Sequence, residues 1–197
     1  MAQSLCLAGD ALVLDMATGT GEVAVEICRH HPKARVVGVD FSPKMLIIGR
    51  RKGKFKKFAR QIHVSLGDGR QLPLKSDSFD AATIAFGIRN IEERDQALEE
   101  FYRVLKPGGQ LLIMEFDIPN DALLGTLYRL YFDYLLPPLG NLLSRTNYAY
   151  SYLASSVHDF PTEQEFLREI GRAGFTCLGV KRLTYGIAKI FQGIKSA

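Results

Sequence analysis

Apolar positions fall into short continuous runs separated by stretches of helical period. Residues 11–15 form a first apolar run that ends on an acid and meets the turn Ala17-Thr18-Gly19-Thr20-Gly21. Val23, Ala24, Ile27 and Cys28 then recur at helical spacing, which predicts a helix over 22–30. Residues 35–39 read as a second strand. Ser42-Pro43 supplies an N-cap and a first-turn proline for a helix carrying Met45, Leu46 and Ile48. Residues 61–66 and 79–86 read as strands three and four. A stripe at Ala97, Leu98, Phe101, Val104 and Leu105 predicts a helix over 93–105, stopped by Pro107-Gly108-Gly109. Residues 110–116 are apolar nearly throughout, as a strand covered on both faces should be. Strands alternating with helices imply right-handed crossovers and a doubly wound parallel sheet.

The rhythm breaks in the last third. An oily stretch over 122–143 is interrupted by Arg129, Asp133, Pro137-Pro138 and Asn141. A bilayer span needs roughly 20 apolar residues with few charges, so this stretch is not one. Its leucines and tyrosines suit a core, a dimer contact or a groove for a lipid tail. Thr162-x-x-Glu165 is a capping box, and its helix should end near Gly174. Residues 175–182 and 183–191 are close enough to form an antiparallel hairpin at the sheet edge. The chain has no internal repeat or linker, so a single domain over 1–197 is expected.

Composition changes this picture little. The 197 residues are 47% hydrophobic and 23% charged, enough for a sizeable core. Cys6, Cys28 and Cys177 are widely spaced and odd in number, which favours a reducing, cytoplasmic setting over a disulfide framework. No cleavable signal pattern opens the chain. A formal charge of +4 is too weak to argue for nucleic acid. The run 50–60 is locally dense in cations, with Phe55 and Phe58 interleaved. It reads either as a solvated helix face or as a surface attracted to anionic lipid, that is, a peripheral membrane contact.

The chemistry concentrates at the strand ends. A strand, a glycine turn and a helix start form a nucleotide cradle, because glycines let backbone N–H groups approach a ligand. Asp40, at the end of the second strand, is placed to accept from ribose hydroxyls. The spacing Gly19, Gly21, Ala24 also fits nicotinamide cofactors. Three features favour S-adenosylmethionine. Asp15 precedes the glycine turn, where an acid suits a cationic amino group and repels a pyrophosphate. Asp68 and Gly69 follow strand three, where a carboxylate and a backbone N–H can read adenine. The turn 104–109 precedes strand five, with the closing hairpin after it.

These features match class I methyltransferases in kind and order. The segments 15–21, Phe86-Gly87-Ile88-Arg89-Asn90, 102–109 and Glu115-Phe116, with Tyr152-Leu153, Phe160-Pro161 and 183–188, resemble the ubiquinone/menaquinone biosynthesis C-methyltransferase family over nearly the whole chain. The resemblance implies an α/β, Rossmann-like class I methyltransferase fold with a mostly parallel seven-stranded sheet and an antiparallel C-terminal hairpin. It implies a helical substrate cap near 120–160. Members of the family carry several dozen residues before strand one, where this chain has ten, so cover helices over the cofactor are expected to be missing. The implied reaction is methylation of a ring carbon on a prenylated quinol, demethylmenaquinol being favoured. The alternatives are another small-molecule methyltransferase, or an inactive cofactor-binding partner in a quinone-making complex.

In that reading Gly19, Thr20 and Gly21 hold the methionine portion, with Asp15 near its amino group. Asp40 takes the ribose, Asp68 and Gly69 the adenine, and Phe41 or Met45 forms an apolar wall. Ala85 adds a backbone group. Arg89 faces the developing phenolate and Asn90 orients the ring oxygens; the plainer role for Arg89 is a pair with Glu92 or Glu93. His158, Tyr148 or a water near an acid would take the proton. No metal is expected, because the methyl donor is already an activated electrophile. A homodimer is left open.

Overall fold

Seven strands, β1 (Leu12–Met16), β2 (Arg35–Asp40), β3 (Ile62–Leu66), β4 (Phe79–Ala85), β5 (Leu105–Phe116), β6 (Phe175–Leu183) and β7 (Ala188–Lys195), form one sheet in the order β3-β2-β1-β4-β5-β7-β6. The computed structural model describes residues 1–117, 155–157 and 159–196. The first five strands run parallel, while β7 lies antiparallel between β5 and β6. The described helices are α1 (Glu22–His30), α2 (Pro43–Arg51), α3 (Gly53–Lys57), α4 (Arg94–Val104) and α5 (Glu163–Arg172).

Each face of the sheet carries its own apolar layer. Leu98 and Phe101 of α4 and Phe166 and Ile170 of α5 pack on one side with Leu14, Ile84 and Ile113. Val25 and Ile27 of α1 and Phe55 of α3 pack on the other with Val13, Val36 and Leu112. This double cover explains why the central strands read as unbroken apolar runs.

The differences from the sequence reading have local causes. β5 begins at Leu105, because Pro107-Gly108-Gly109 sits in an irregularity of the ladder between Phe79↔Leu105 and Ala81↔Gln110. The last strand starts at Ala188, since Thr184, Tyr185 and Gly186 all adopt positive φ and turn the chain. The basic run breaks into two helices at Lys52, which lets Phe55 turn inward against Gly21. The expected caps form: Ser42 Oγ accepts from Met45 N, and Thr162 and Glu165 complete the capping box. The cap expected over 120–160, its oily segment, Tyr148 and His158 fall outside the described residues, apart from 155–157 and Asp159–Phe160.

Candidate active site

Strand order reverses at β1, whose neighbours β2 and β4 lead away in opposite directions. Ligands of open α/β sheets bind at such a switch, beyond the carboxyl ends of the strands. A crevice of about 990 Å³ opens there, walled by the ends of β1, β2 and β4 and by the turn after β3. That lies at the upper end of the usual range for ligand sites.

The floor of the crevice is the turn from β1 to α1. Ala17 and Gly19 adopt φ of +52° and +57°, and Gly21 caps α1 at +81°. Gly21 N donates back to Thr18 O at 2.8 Å, closing the turn. A side chain at Gly21 would strike the Phe55 ring at 2.7 Å. Gly19 and Thr20 lie on the crevice wall, whereas Gly21 shapes the turn behind it. The Thr20 hydroxyl accepts from Lys52 Nζ at 2.6 Å, and Lys52 also pairs with Glu22 at 2.7 Å.

Asp40 fastens this turn to α2. One carboxylate oxygen accepts from Gly19 N at 2.7 Å and the other from Ser42 N at 2.8 Å. The residue is 8% exposed and borders the crevice. An ionised carboxylate has about four acceptor directions, so two remain for a diol. Asp68 and Gly69 form the neighbouring wall. The Asp68 carboxylate is held bidentately by Arg70, whose other arm reaches Glu93 at 2.5 Å. The Arg70 guanidinium holds the Asp68 carboxyl below the usual carboxylate range. Ala85 and Asn90 complete the set on the β4 side, with Phe86 and Ile91 as apolar wall.

Asp15 departs from its expected place. It is 1% exposed and lies beneath the turn, off the crevice wall. Thr18 Oγ1 donates to it at 2.6 Å and Thr83 Oγ1 at 2.8 Å. The acid therefore braces the turn, and a hydrogen bond from the Ala24 backbone adds the start of α1. Burial pushes its carboxyl up to about 6 from 3.8. The folded chain thus keeps a proton between pH 4 and 6 that the unfolded chain has released. Stability attributable to Asp15 is full below pH 4 and falls as pH rises through 6, by about 3 kcal/mol. Asp15→Asn should lose this slope. Urea denaturation of both proteins at pH 4.5 and 7 checks it; parallel pH profiles would show Asp15 to be ionised throughout.

Arg89 also departs from expectation. It sits in the short turn Ile88–Asn90 but is not on the crevice wall. Its guanidinium meets Glu115 at 2.6 Å and Phe86 O at 2.8 Å and lies over the Phe116 ring. The pair partner is Glu115, neither Glu92 nor Glu93. Sequence periodicity gave no hint of this, because Glu115 is the one acid in an apolar strand and its partner is 26 residues away.

A family model described as the ubiE/COQ5 methyltransferase family matches residues 2–195. The chain belongs to this family. It is 44% identical to the ubiquinone/menaquinone biosynthesis C-methyltransferase UbiE of Syntrophotalea carbinolica, over 98% of this chain and 81% of that protein. It is equally 44% identical to the demethylmenaquinone methyltransferase of Thermus thermophilus, over 92% of this chain and 81% of the relative. In fold it resembles the phosphoethanolamine N-methyltransferase 2 of Haemonchus contortus in complex with S-adenosyl-L-methionine. That likeness has a TM-score of 0.71 and 16% identity, covering 98% of this chain and 50% of the other.

In this ubiE/COQ5 methyltransferase, two further glycines shape the site, Gly49, which no motif announces, and Gly87, inside the segment 86–90 but without a role assigned from the sequence. Gly49 is buried inside α2, and a side chain there would meet the Thr20 carbonyl at 2.8 Å. Helix α2 can therefore lie directly on the glycine turn. At Gly87 a side chain would strike Ala17 Cβ at 2.5 Å. Close approach of the β4 turn to the β1 turn narrows the crevice floor between them.

Proposed function

We propose that the chain methylates a ring carbon of a prenylated quinol, demethylmenaquinol being favoured, with S-adenosylmethionine as methyl donor. The observation that carries this reading is Asp40, which ties the glycine turn to α2 while still facing the crevice. The donor set fits the group: a diol acceptor at Asp40, backbone at Gly19 and Ala85, a polar turn at Asp68–Gly69, and apolar wall from Phe41 and Met45. When bound, S-adenosylmethionine supplies a methyl group already activated on a sulfonium.

The protein's own work is placement and exclusion of water. Gly19 and Thr20 hold the methionine portion, Asp40 the ribose, and Asp68 with Gly69 the adenine. Met16, Phe86, Ile91 and Met114 give the apolar side where an aromatic ring would stack. Holding donor and ring carbon in line can supply several kcal/mol, of about 7–11 available from positioning. Asn90 reaches the wall and orients a ring oxygen. Arg89, held by Glu115, acts as a positioning residue that fixes the turn carrying Asn90. The reading puts the enzyme in the cytoplasm, next to the membrane that dissolves its substrate.

Thermal-shift and transfer assays test this together. S-adenosylhomocysteine should raise the melting temperature and NAD should not. Labelled methyl should appear on the ring carbon of a short-chain demethylmenaquinol. A shift with NAD alone, or transfer only to an unprenylated soluble phenol, would overturn the reading.

A further inference from the structure

We propose that the outer face of α2, continued by α3, docks on the surface of a bilayer rich in anionic phospholipid and sets the crevice mouth against the lipid. The first observation is an apolar stripe on the wrong side of a helix. Leu46 and Gly49 turn inward and are buried. Lys44, Ile47, Ile48 and Arg51 follow the i, i+3, i+4, i+7 spacing of one helix face. Here that face points outward, with Ile47 52% and Ile48 40% exposed between two cations.

The apolar surface continues to the crevice. Phe41 is 77% exposed and Met45 39%, and both line the crevice mouth. Leu66, 55% exposed, ends the edge strand directly beside Asp40 in the ladder. Exposed apolar surface rimmed by polar groups marks an interaction site.

Charge selects the partner. Residues 41–67 carry eight Lys and Arg and no Asp or Glu. The formal +4 of the chain therefore consists of +8 on this segment and −4 on the rest. Among the described residues, Lys52 is the one cation of the eight in an ion pair. A face built only for solubility mixes both signs. A nucleic acid would use the cations but has no use for two exposed isoleucines at their centre. An anionic bilayer uses both, apolar side chains sinking to the acyl boundary and cations meeting headgroups. No helix among the described residues is long and apolar enough to cross a membrane, so the contact is with a surface. The purpose of docking, delivery of a membrane-dissolved quinol to the crevice, rests on the function proposed above; the docking itself does not.

Flotation of the full chain with phosphatidylcholine vesicles, with and without phosphatidylglycerol, tests the proposal. Binding is expected to the anionic vesicles at low salt and to be lost at high salt. Lys54→Gln/Lys56→Gln/Lys57→Gln should lower partitioning by about a hundredfold, at roughly fivefold per charge. Ile47→Ser/Ile48→Ser should lower it by about tenfold or more with the melting temperature unchanged. Failure of the wild-type chain to bind anionic vesicles overturns the proposal. So does binding that the isoleucine substitutions leave intact and a duplex oligonucleotide competes away, which would assign the face to nucleic acid. Methyl transfer to a water-soluble short-chain quinol should be the same in all three proteins. Transfer without vesicle binding would sink the docking surface alone. Vesicle binding without transfer to any quinol would sink the function alone.

Discussion

Glu115→Ala is expected to cost this fold about 3–5 kcal/mol, a large share of the roughly 5–15 kcal/mol that holds a domain of this kind together. Glu115 is 1% exposed and its partner Arg89 10%. Removing the carboxylate leaves a guanidinium enclosed against Phe116 with Phe86 O and Ser156 Oγ as neutral partners. Arginine cannot shed its proton to escape. The reverse change, Arg89→Ala, should be milder at acid pH, because glutamate can escape by taking up a proton. Burial already pushes the Glu115 carboxyl above the usual range even with Arg89 beside it. Without Arg89 it rises further, so the buried acid stays neutral at low pH. The cost of Arg89→Ala should then grow as pH rises through that elevated value. Urea denaturation of both single variants and of Arg89→Met/Glu115→Leu, at two pH values, measures the three costs. The double variant should recover much of the loss. Equal costs for the two single changes at every pH would mean that the pair is solvated and the asymmetry unfounded.

The same pair shows where the sequence could be read and where it could not. Local signals were legible: the glycine turn between β1 and α1, the Ser42 and Thr162 caps, and Asp40 at the end of β2. Each of these is written within a few residues of where it acts. The sheet order on the β1–β4 side follows from alternation and handedness. The seat of β7 between β5 and β6 is less local, since a hairpin can present either strand to the sheet. Lateral contacts carry no periodic trace. Gly49 carries no signal in the sequence, and its purpose shows only where Thr20 lies against it. Asp15 reads as a ligand because it precedes the turn, yet a one-residue alternation in β1 directs it to Thr83 on β4. Arg89 reads as a phenolate contact, or as the partner of Glu92 or Glu93, until β5 brings Glu115 beneath it.

The second large effect is expected at Asp40. Asp40→Ala removes two charge-assisted hydrogen bonds at once, those from Gly19 N and Ser42 N. Bonds of this type contribute about 1.5–3 kcal/mol each, and both donors lie at a partly buried junction. Stability should fall by about 2–4 kcal/mol, because water can enter from the crevice and satisfy part of the deficit. Affinity for S-adenosylhomocysteine should fall by more than the lost ribose contact alone. The free chain must now also order the glycine turn against α2, so a drop of about a hundredfold or more is expected. Asp40→Asn separates the two roles. Its single carbonyl oxygen can serve one backbone donor, while its amide opposes the other. Stability should therefore be intermediate while affinity stays nearly as low as in Asp40→Ala. Calorimetric titration paired with urea denaturation reads both quantities. Wild-type affinity in a destabilised Asp40→Asn protein would reduce this carboxylate to a brace between two loops, and the ribose would have to be held elsewhere on the crevice wall.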